Sequence, residues 1–335
     1  SIITLPTINS LKLPDILHRK VDLKAIKKKC GNAMARPAKP LHNSFTGLTA
    51  QSDSHSTQIQ FNLKESPQNS QPLVDSHCHF DAEAFDEDRD TVQSDALNAG
   101  VQTIISPAIT SVSWPRLQHL TAQYSHIHPA YGLHPMFIDQ HQSADIDALE
   151  QWLDREKPIA VGECGLDFYG SKNHQKQQTD YFEAQLSLAH SHRLPIIIHA
   201  RKAVEAVLQS IRRYPDIRGV IHSYSGSLEQ ARQFIDKGFY LGFGGPVTWP
   251  KSTRLQKLIK ALPLEAILLE TDAPDQADAK HRGERNEPSY LPAIAEKIAS
   301  LKVLEPKEVA RATTNNAIEL FRLNPDQIHH KAHEG

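Results

Sequence analysis

Residues 73–81 read Leu-Val-Asp-Ser-His-Cys-His-Phe-Asp. Two apolar residues run into a His-x-His pair with acidic residues on both sides. In a strand, successive side chains alternate between faces, so His77 and His79 are expected to point one way and Cys78 the other. Two imidazoles side by side at a strand's end are half of a metal site. A lone His-x-His is more often two polar residues where a strand meets a loop. The stretch carries weight because the pattern returns: short apolar runs downstream also end in ligand-type residues.

Those runs fall at 73–79, 103–107, 129–133, 159–164, 195–199, 219–222, 240–244 and 266–271. Between them helical patterns lie near 86–99, 112–123, 145–155, 174–193, 202–213, 227–237 and 251–261, with two more near 289–301 and 306–321. The strands are short, apolar and rich in Ile and Val, as buried parallel strands are. Eight strands, each followed by helical sequence, predict a closed (β/α)8 barrel of the TIM type. An open doubly wound sheet is the alternative, but no Gly-x-Gly-x-x-Gly follows the first strand.

The chain has 335 residues, and a single barrel of this kind needs about 250. The surplus sits at the N-terminus. Residues 1–72 hold 10 Lys+Arg against 4 Asp+Glu, whereas residues 73–335 hold 27 against 35. From Pro37 to Pro72, Ser, Gln, Asn, His and Pro dominate, a composition that buries too little to offset its ordering entropy. The segment 1–72 is therefore expected to be a disordered extension rather than a basic arm for nucleic acid. The barrel is expected over 73–323, followed by a polar tail at 324–335. Three widely spaced cysteines, Cys30, Cys78 and Cys164, make no disulfide framework and point to a reducing, cytoplasmic setting. No apolar run approaches the ~18 residues of a membrane span. Lys12, Asp15, Arg19 and Lys20 interrupt every candidate signal-peptide core.

Polar residues concentrate at the carboxyl ends of the strands, where barrel enzymes place their active sites. They are His77 and His79 after strand one, His134 after strand three and Glu163 in strand four. His199 and Arg201 follow in strand five, His222 after strand six and Asp272 after strand eight. Each alone is weak, since a His closing an apolar strand is usually a satisfied polar cap. Five imidazoles and two carboxylates on one rim can hold two divalent ions, with Glu163 the natural bridge. Two ions ~3.5–4 Å apart can clamp the attacking and leaving oxygens of a displacement at phosphorus. Cys78 and Cys164 flank these positions and read as buried packing residues. Asp75 and Asp167 read either as partners of ligand imidazoles or as salt-bridge residues.

Several motifs, in order, resemble the TatD family of metal-dependent deoxyribonucleases, within the amidohydrolase-like barrels. They are Asp75-Ser-His77-Cys-His79-Phe-Asp81, Gly132-Leu-His134-Pro and Gly162-Glu163-Cys-Gly-Leu-Asp167. Pro195-Ile-Ile-Ile-His199-Ala-Arg201, His222-Ser-Tyr-Ser-Gly226, Glu270-Thr-Asp272-Ala-Pro274 and Arg285-Asn286-Glu287-Pro288 complete the set. Gly244-Gly245-Pro246 and Asp275 lean toward the YjjV-like branch. Ser223-Tyr224 stands where members often carry Cys-Phe, and the N-terminal extension is outside the family pattern. The resemblance implies one ion held by His77, His79, Glu163 and Asp272, and a second by Glu163, His199 and His222. It implies that Asp272 orients and deprotonates the attacking water, and that His134, Arg201 and Arg285 contact the substrate phosphate. The implied cofactors are two divalent metal ions: Zn, Mn or Mg. Imidazole ligands favour Zn, Mn or Fe over Mg by softness.

The function expected is a metal-dependent phosphodiesterase acting on DNA or a short oligonucleotide, with no membrane and no obligate protein partner. The negative barrel argues against a broad nucleic-acid footprint, which wants a basic face. It permits grip on one strand end, hence exonuclease-like action. The same machinery on another bond, such as a misacylated tRNA ester or a cyclic amide, is the alternative. A non-enzymatic, partner-binding barrel is disfavoured by the intact ligand set.

Overall fold

The computed structural model describes residues 71–169 and 174–329. The expectations for residues 1–70 lie outside them. Eight strands follow in order: β1 (Leu73–Asp75), β2 (Val101–Pro107), β3 (Ile127–Tyr131), β4 (Ala160–Asp167), β5 (Ile196–Arg201), β6 (Gly219–Ile221), β7 (Phe239–Phe243) and β8 (Ile267–Leu269). Each pairs in parallel with the next, from β1 through to β8. The sheet closes where the Ser76 amide donates to the Leu269 carbonyl at 2.9 Å and the Asp272 amide donates to the His77 carbonyl at 2.8 Å. The (β/α)8 barrel expected from the sequence is the fold.

Side-chain alternation sorts the strands into two buried layers. Val74, Ile105, Ala130, Ala160, Ile197, Val220 and Leu268 pack together inside the barrel. Their neighbours Ile104, Ile196, Ile198 and Leu269 belong to the larger core shared with the surrounding helices. That core takes in Leu117 of α2 (Trp114–Gln123), Leu186 of α4 (Gln175–His192), Leu208 of α5 (Val204–Ile211) and Phe234 of α6 (Leu228–Asp236). Helices α1 (Arg89–Asn98), α3 (Ala144–Glu156) and α7 (Thr253–Ala261), which follow β1, β3 and β7 in the chain, complete the set. Burying strand residues on both faces explains their unbroken apolar runs. Local signals start the helices: in α6 the Ser227 hydroxyl accepts from the Gln230 amide, and the Gln230 side chain accepts from the Ser227 amide, both at 3.1 Å.

The chain after β8 seals the end of the barrel opposite the polar rim. Helix α8 (Leu291–Lys302) leads to α9 (Pro306–Phe321). There the Thr314 hydroxyl donates to the Pro72 carbonyl at 2.8 Å, and the Asn316 amide donates to the carbonyls of Leu264 and Ile267 at 3.0 and 2.8 Å. Ala317, Leu320 and Phe321 join the interior cluster. One expectation is corrected here. Residues 325–329, read as the start of a polar tail, form helix α10 (Pro325–His329), and Ile328 is buried in the interior cluster. A single apolar anchor in a five-residue helix leaves too little periodicity to read.

Several strand bounds also differ from expectation. Strands β1 and β8 stop at Asp75 and Leu269, so His77, His79 and Asp272 sit on the turns beyond. Backbone bonds to distant parts of the chain hold these turns in place of a ladder: the Cys78 amide donates to the Ile105 carbonyl at 3.0 Å and the His79 amide to the Ala273 carbonyl at 2.9 Å. Strand β4 runs three residues past the expected end, to Asp167, because Gly165 pairs with His199 and Asp167 with Arg201. Gly165 adopts φ +128, and a Cβ there would stand 2.9 Å from the His199 nitrogen and closer still to its carbonyl oxygen. Only glycine lets β5 approach β4 here, and that approach carries His199 to Glu163.

Candidate metal centre

Glu163 lies at the middle of the rim, 1% exposed. Its two carboxylate oxygens meet different imidazoles. Oε1 is 2.9 Å from His134 Nε2, 3.1 Å from His199 Nδ1 and 3.7 Å from His222 Nε2. Oε2 is 3.1 Å from His77 Nε2 and 3.4 Å from His79 Nε2. Asp272 Oδ1 faces the same two rings, at 3.5 Å from His77 Nε2 and 3.6 Å from His79 Nε2. Three overlapping groups have ligand atoms within 4.8 Å of one another: His77, His222 and Asp272; His77, His79 and Glu163; His134, Glu163 and His199.

The outer nitrogens of the rings decide which atoms face the centre. His79 Nδ1 lies 3.1 Å from the Pro107 carbonyl, an acceptor only, so in the neutral ring Nδ1 carries the proton and Nε2 keeps a lone pair for a cation. His199 is held the other way round. Its Nε2 lies 3.0 Å from Asp167 Oδ2, and its Nδ1 turns to Glu163. His222 Nδ1 is 3.3 Å from Glu270 Oε1, which leaves Nε2 facing inward. These partners are the kind that orient metal-binding imidazoles. His134 differs. Its Nδ1 accepts from the Met136 amide at 3.1 Å, so the neutral ring carries its proton on Nε2, aimed at Glu163. His134 is thus a donor at the rim rather than a lone-pair ligand.

Electrostatics follow from crowding charge in a buried site. Burial opposes the charge of Glu163, but the imidazoles of His134, His77 and His222 hold it well below the usual carboxylate range. Burial pushes Asp272 up to about 6, against the pull of His222 and His79. Burial pushes His134 down to about 4, so it is neutral, and burial with the neighbouring His222 holds His77 well below its ordinary value. Burial also works against charge on His222 and His79. The carboxylates Glu270, Asp272 and Glu163 nonetheless raise His222 to about 10, and Glu163 raises His79 to about 9.

The donor set fits divalent cations. Glu163 Oε2 is buried without a hydrogen bond, and three carboxylates share one low-dielectric pocket. A bound cation would satisfy both demands.

The structure brings His77, His79, Glu163, His199, His222 and Asp272 together, with His134 beside them. Arg201 stands at the edge, its guanidinium 3.9 Å from Asp167 and 3.9 Å over the Tyr169 ring. Arg285 does not join them. It is held by Asp88 at 2.6 and 2.8 Å, Glu287 at 2.8 Å and the Ala84 carbonyl at 2.7 Å. Asp167 partners His199. Asp75 partners no imidazole, and instead accepts from the Thr271 amide and hydroxyl at 2.9 and 2.5 Å.

Sequence reading assigned no role to Glu270, Ser223 and Gln276. Glu270 Oε1 accepts from the Ser223 amide at 2.6 Å. The Ser223 hydroxyl donates to Gln276 Oε1 at 3.0 Å, and the Gln276 amide donates to Asp272 Oδ2. Asp272, Ser223 and Gln276 all take positive φ, of 58, 46 and 53 degrees. Such backbone persists in non-glycine residues where surroundings impose it. A glutamate directly after Ile267-Leu268-Leu269, at the strand's end, was the available signal.

The family described as TatD related DNase matches residues 74–322. YjjV of Escherichia coli (strain K12), described as an uncharacterized metal-dependent hydrolase, is 35% identical over 254 residues, covering 75% of this chain and 98% of that protein. YabD of Bacillus subtilis (strain 168), described in the same words, is 36% identical over 254 residues, covering 75% of this chain and 100% of that protein. The crystal structure of YjjV superposes with a TM-score of 0.72 at 34% identity, over 75% of this chain and 98% of that one. A TatD family hydrolase from Entamoeba histolytica superposes with a TM-score of 0.66 at 22% identity, over 75% of this chain and 98% of that one, a likeness of fold.

Proposed function

This chain belongs to the TatD family of metal-dependent hydrolases, and we propose that it hydrolyses phosphodiester bonds at the end of a DNA strand, using two divalent ions. The observation that carries the reading is Glu163, whose two oxygens each have their own imidazoles. His77, His79, Glu163 and Asp272 would hold one ion, and Glu163, His199 and His222 the other. When bound, such ions polarise the phosphoryl oxygens and lower the pKa of water. Asp272 faces the first group from a fixed position and accepts the proton of the attacking water. His134, neutral and protonated on Nε2, donates to a non-bridging phosphate oxygen. Arg201 sits where a phosphate beyond the cluster can be gripped, and Arg285 takes up that role only on leaving Asp88.

The acidic barrel supports action on an end, where few phosphates are held and the ions supply the positive charge. The cytoplasmic setting rests on Cys78 and Cys164, both free and buried. No helix among the described residues is long and apolar enough to cross a membrane. The test compares a labelled linear single-stranded oligonucleotide with its circularised form, in Mn or Zn and in chelator. Metal-dependent loss of terminal nucleotides from the linear form alone is expected. A metal-loaded protein that leaves both forms intact would move the reading to another ester or amide bond.

A further inference from the structure

Five large apolar side chains are exposed among the described residues: Val112, Met136, Tyr169, Val303 and Leu304. Val303 and Leu304 lie between α8 and α9, away from the rim. Val112, Met136 and Tyr169 lie on the segments that follow β2, β3 and β4, on the side of the barrel that carries the cluster. Tyr169 is the aromatic one, and it is 64% exposed. The solvent-facing ring is not loosely placed. The Tyr169 amide donates to Asp167 Oδ1 at 2.9 Å, and Asp167 Oδ2 lies 3.0 Å from His199 Nε2. One carboxylate therefore fixes both the backbone beneath the ring and an imidazole of the centre. The Arg201 guanidinium lies 3.9 Å over the ring centroid, backing one face, and so high an exposure leaves the other face open.

We infer that Tyr169, backed by Arg201, is the stacking platform for a nucleobase of the substrate, and so a specificity-determining residue. The inference rests on the nuclease reading above and adds to it the part of the substrate that the metal centre cannot recognise. Every base offers a π-face, so such a platform tolerates sequence while rejecting a phosphodiester that carries no base. A guanidinium over the far side adds a cation–π contribution and keeps the ring from turning. Arg201 lies two residues past His199 on β5, about 7 Å further along the strand. The platform is thus close to the reacting phosphate without touching it.

The test uses the full chain and two oligonucleotides, one natural and one with a tetrahydrofuran residue in place of the nucleotide at both ends. KM and kcat are measured in Mn, and Kd by fluorescence anisotropy in chelator. Tyr169→Ala is expected to raise KM and Kd for the natural oligonucleotide by about 5- to 150-fold, or about 1–3 kcal/mol at 1.4 kcal/mol per tenfold. The same variant should leave the abasic substrate and kcat near wild type. Tyr169→Phe, which keeps the ring, should restore the natural substrate. Equal losses on both substrates, or no loss on either, would overturn the platform while leaving nuclease activity in place. Wild-type protein that cleaves neither substrate would overturn the nuclease reading and the platform with it.

Discussion

Gly242 in β7 leaves the space that the Glu270 carboxylate occupies. A Cβ at this position would stand 2.8 Å from Glu270 Cδ and 3.2 Å from Oε1, and closer still to Oε2. Ordinary carbon contact begins at about 3.5 Å, so in Gly242→Ala the carboxylate must retreat by at least about 0.7 Å. It cannot do so freely, because Oε1 accepts from the Ser223 amide at 2.6 Å and lies 3.3 Å from His222 Nδ1. Overfilling a packed site costs about 1–3 kcal/mol, and a hydrogen bond to a charged group contributes about 1.5–3 kcal/mol. Both describe one displacement and do not add. Lower unfolded-chain entropy returns about 0.4–1 kcal/mol. The net expectation is about 2 kcal/mol, a fall in Tm of about 4–8 °C for a domain of this size. Thermal melts of chelator-treated protein read it. In a Glu270→Ala background the obstacle is gone, so Gly242→Ala should there cost under about 0.5 kcal/mol. A Tm that does not move, or an equal cost in both backgrounds, would refute the reasoning.

Asp75 gives a pH prediction whose sign can be worked out. Burial raises it to about 7 from an ordinary 3.8, against the hydrogen bonds from Thr271 and His77. The folded state holds this proton more tightly than the unfolded state, so its contribution to stability is present below 3.8 and is lost as pH rises toward 7. Relative to Asp75→Asn, metal-free wild type should lose up to roughly 4 kcal/mol between those limits in urea melts. A constant difference would contradict the assignment. His134→Ala should lower kcat by about 10²–10³ and leave bound metal unchanged, as expected for a donor rather than a ligand. Loss of one ion per chain would make His134 a ligand after all.

The barrel was legible because eight short apolar runs with helical spacers admit few other topologies. Residues closing those runs were legible as a rim, since a strand's end fixes where its last side chain stands. The partners were not legible. Whether His134 offers a lone pair or a proton depends on the Met136 amide, and no spacing encodes that bond. Glu270 and Gln276 act through Ser223, which lies 47 and 53 residues away in the chain. Arg285 reads as a phosphate contact in its motif, yet Asp88, 197 residues away, engages it. Helix α10 was missed because its one core residue, Ile328, looks like part of a polar tail.

The central claim is that Glu163 sits between two cations, and counting ions per chain tests it most directly. Wild type, Glu163→Gln and His222→Ala are dialysed against one buffered low concentration of Mn or Zn, and metal is measured by atomic emission. Two ions per wild-type chain are predicted, with both sites depleted in Glu163→Gln and mainly one in His222→Ala, because an amide cannot replace a carboxylate shared by two cations. Wild type that saturates at one ion with full hydrolytic activity would contradict the account.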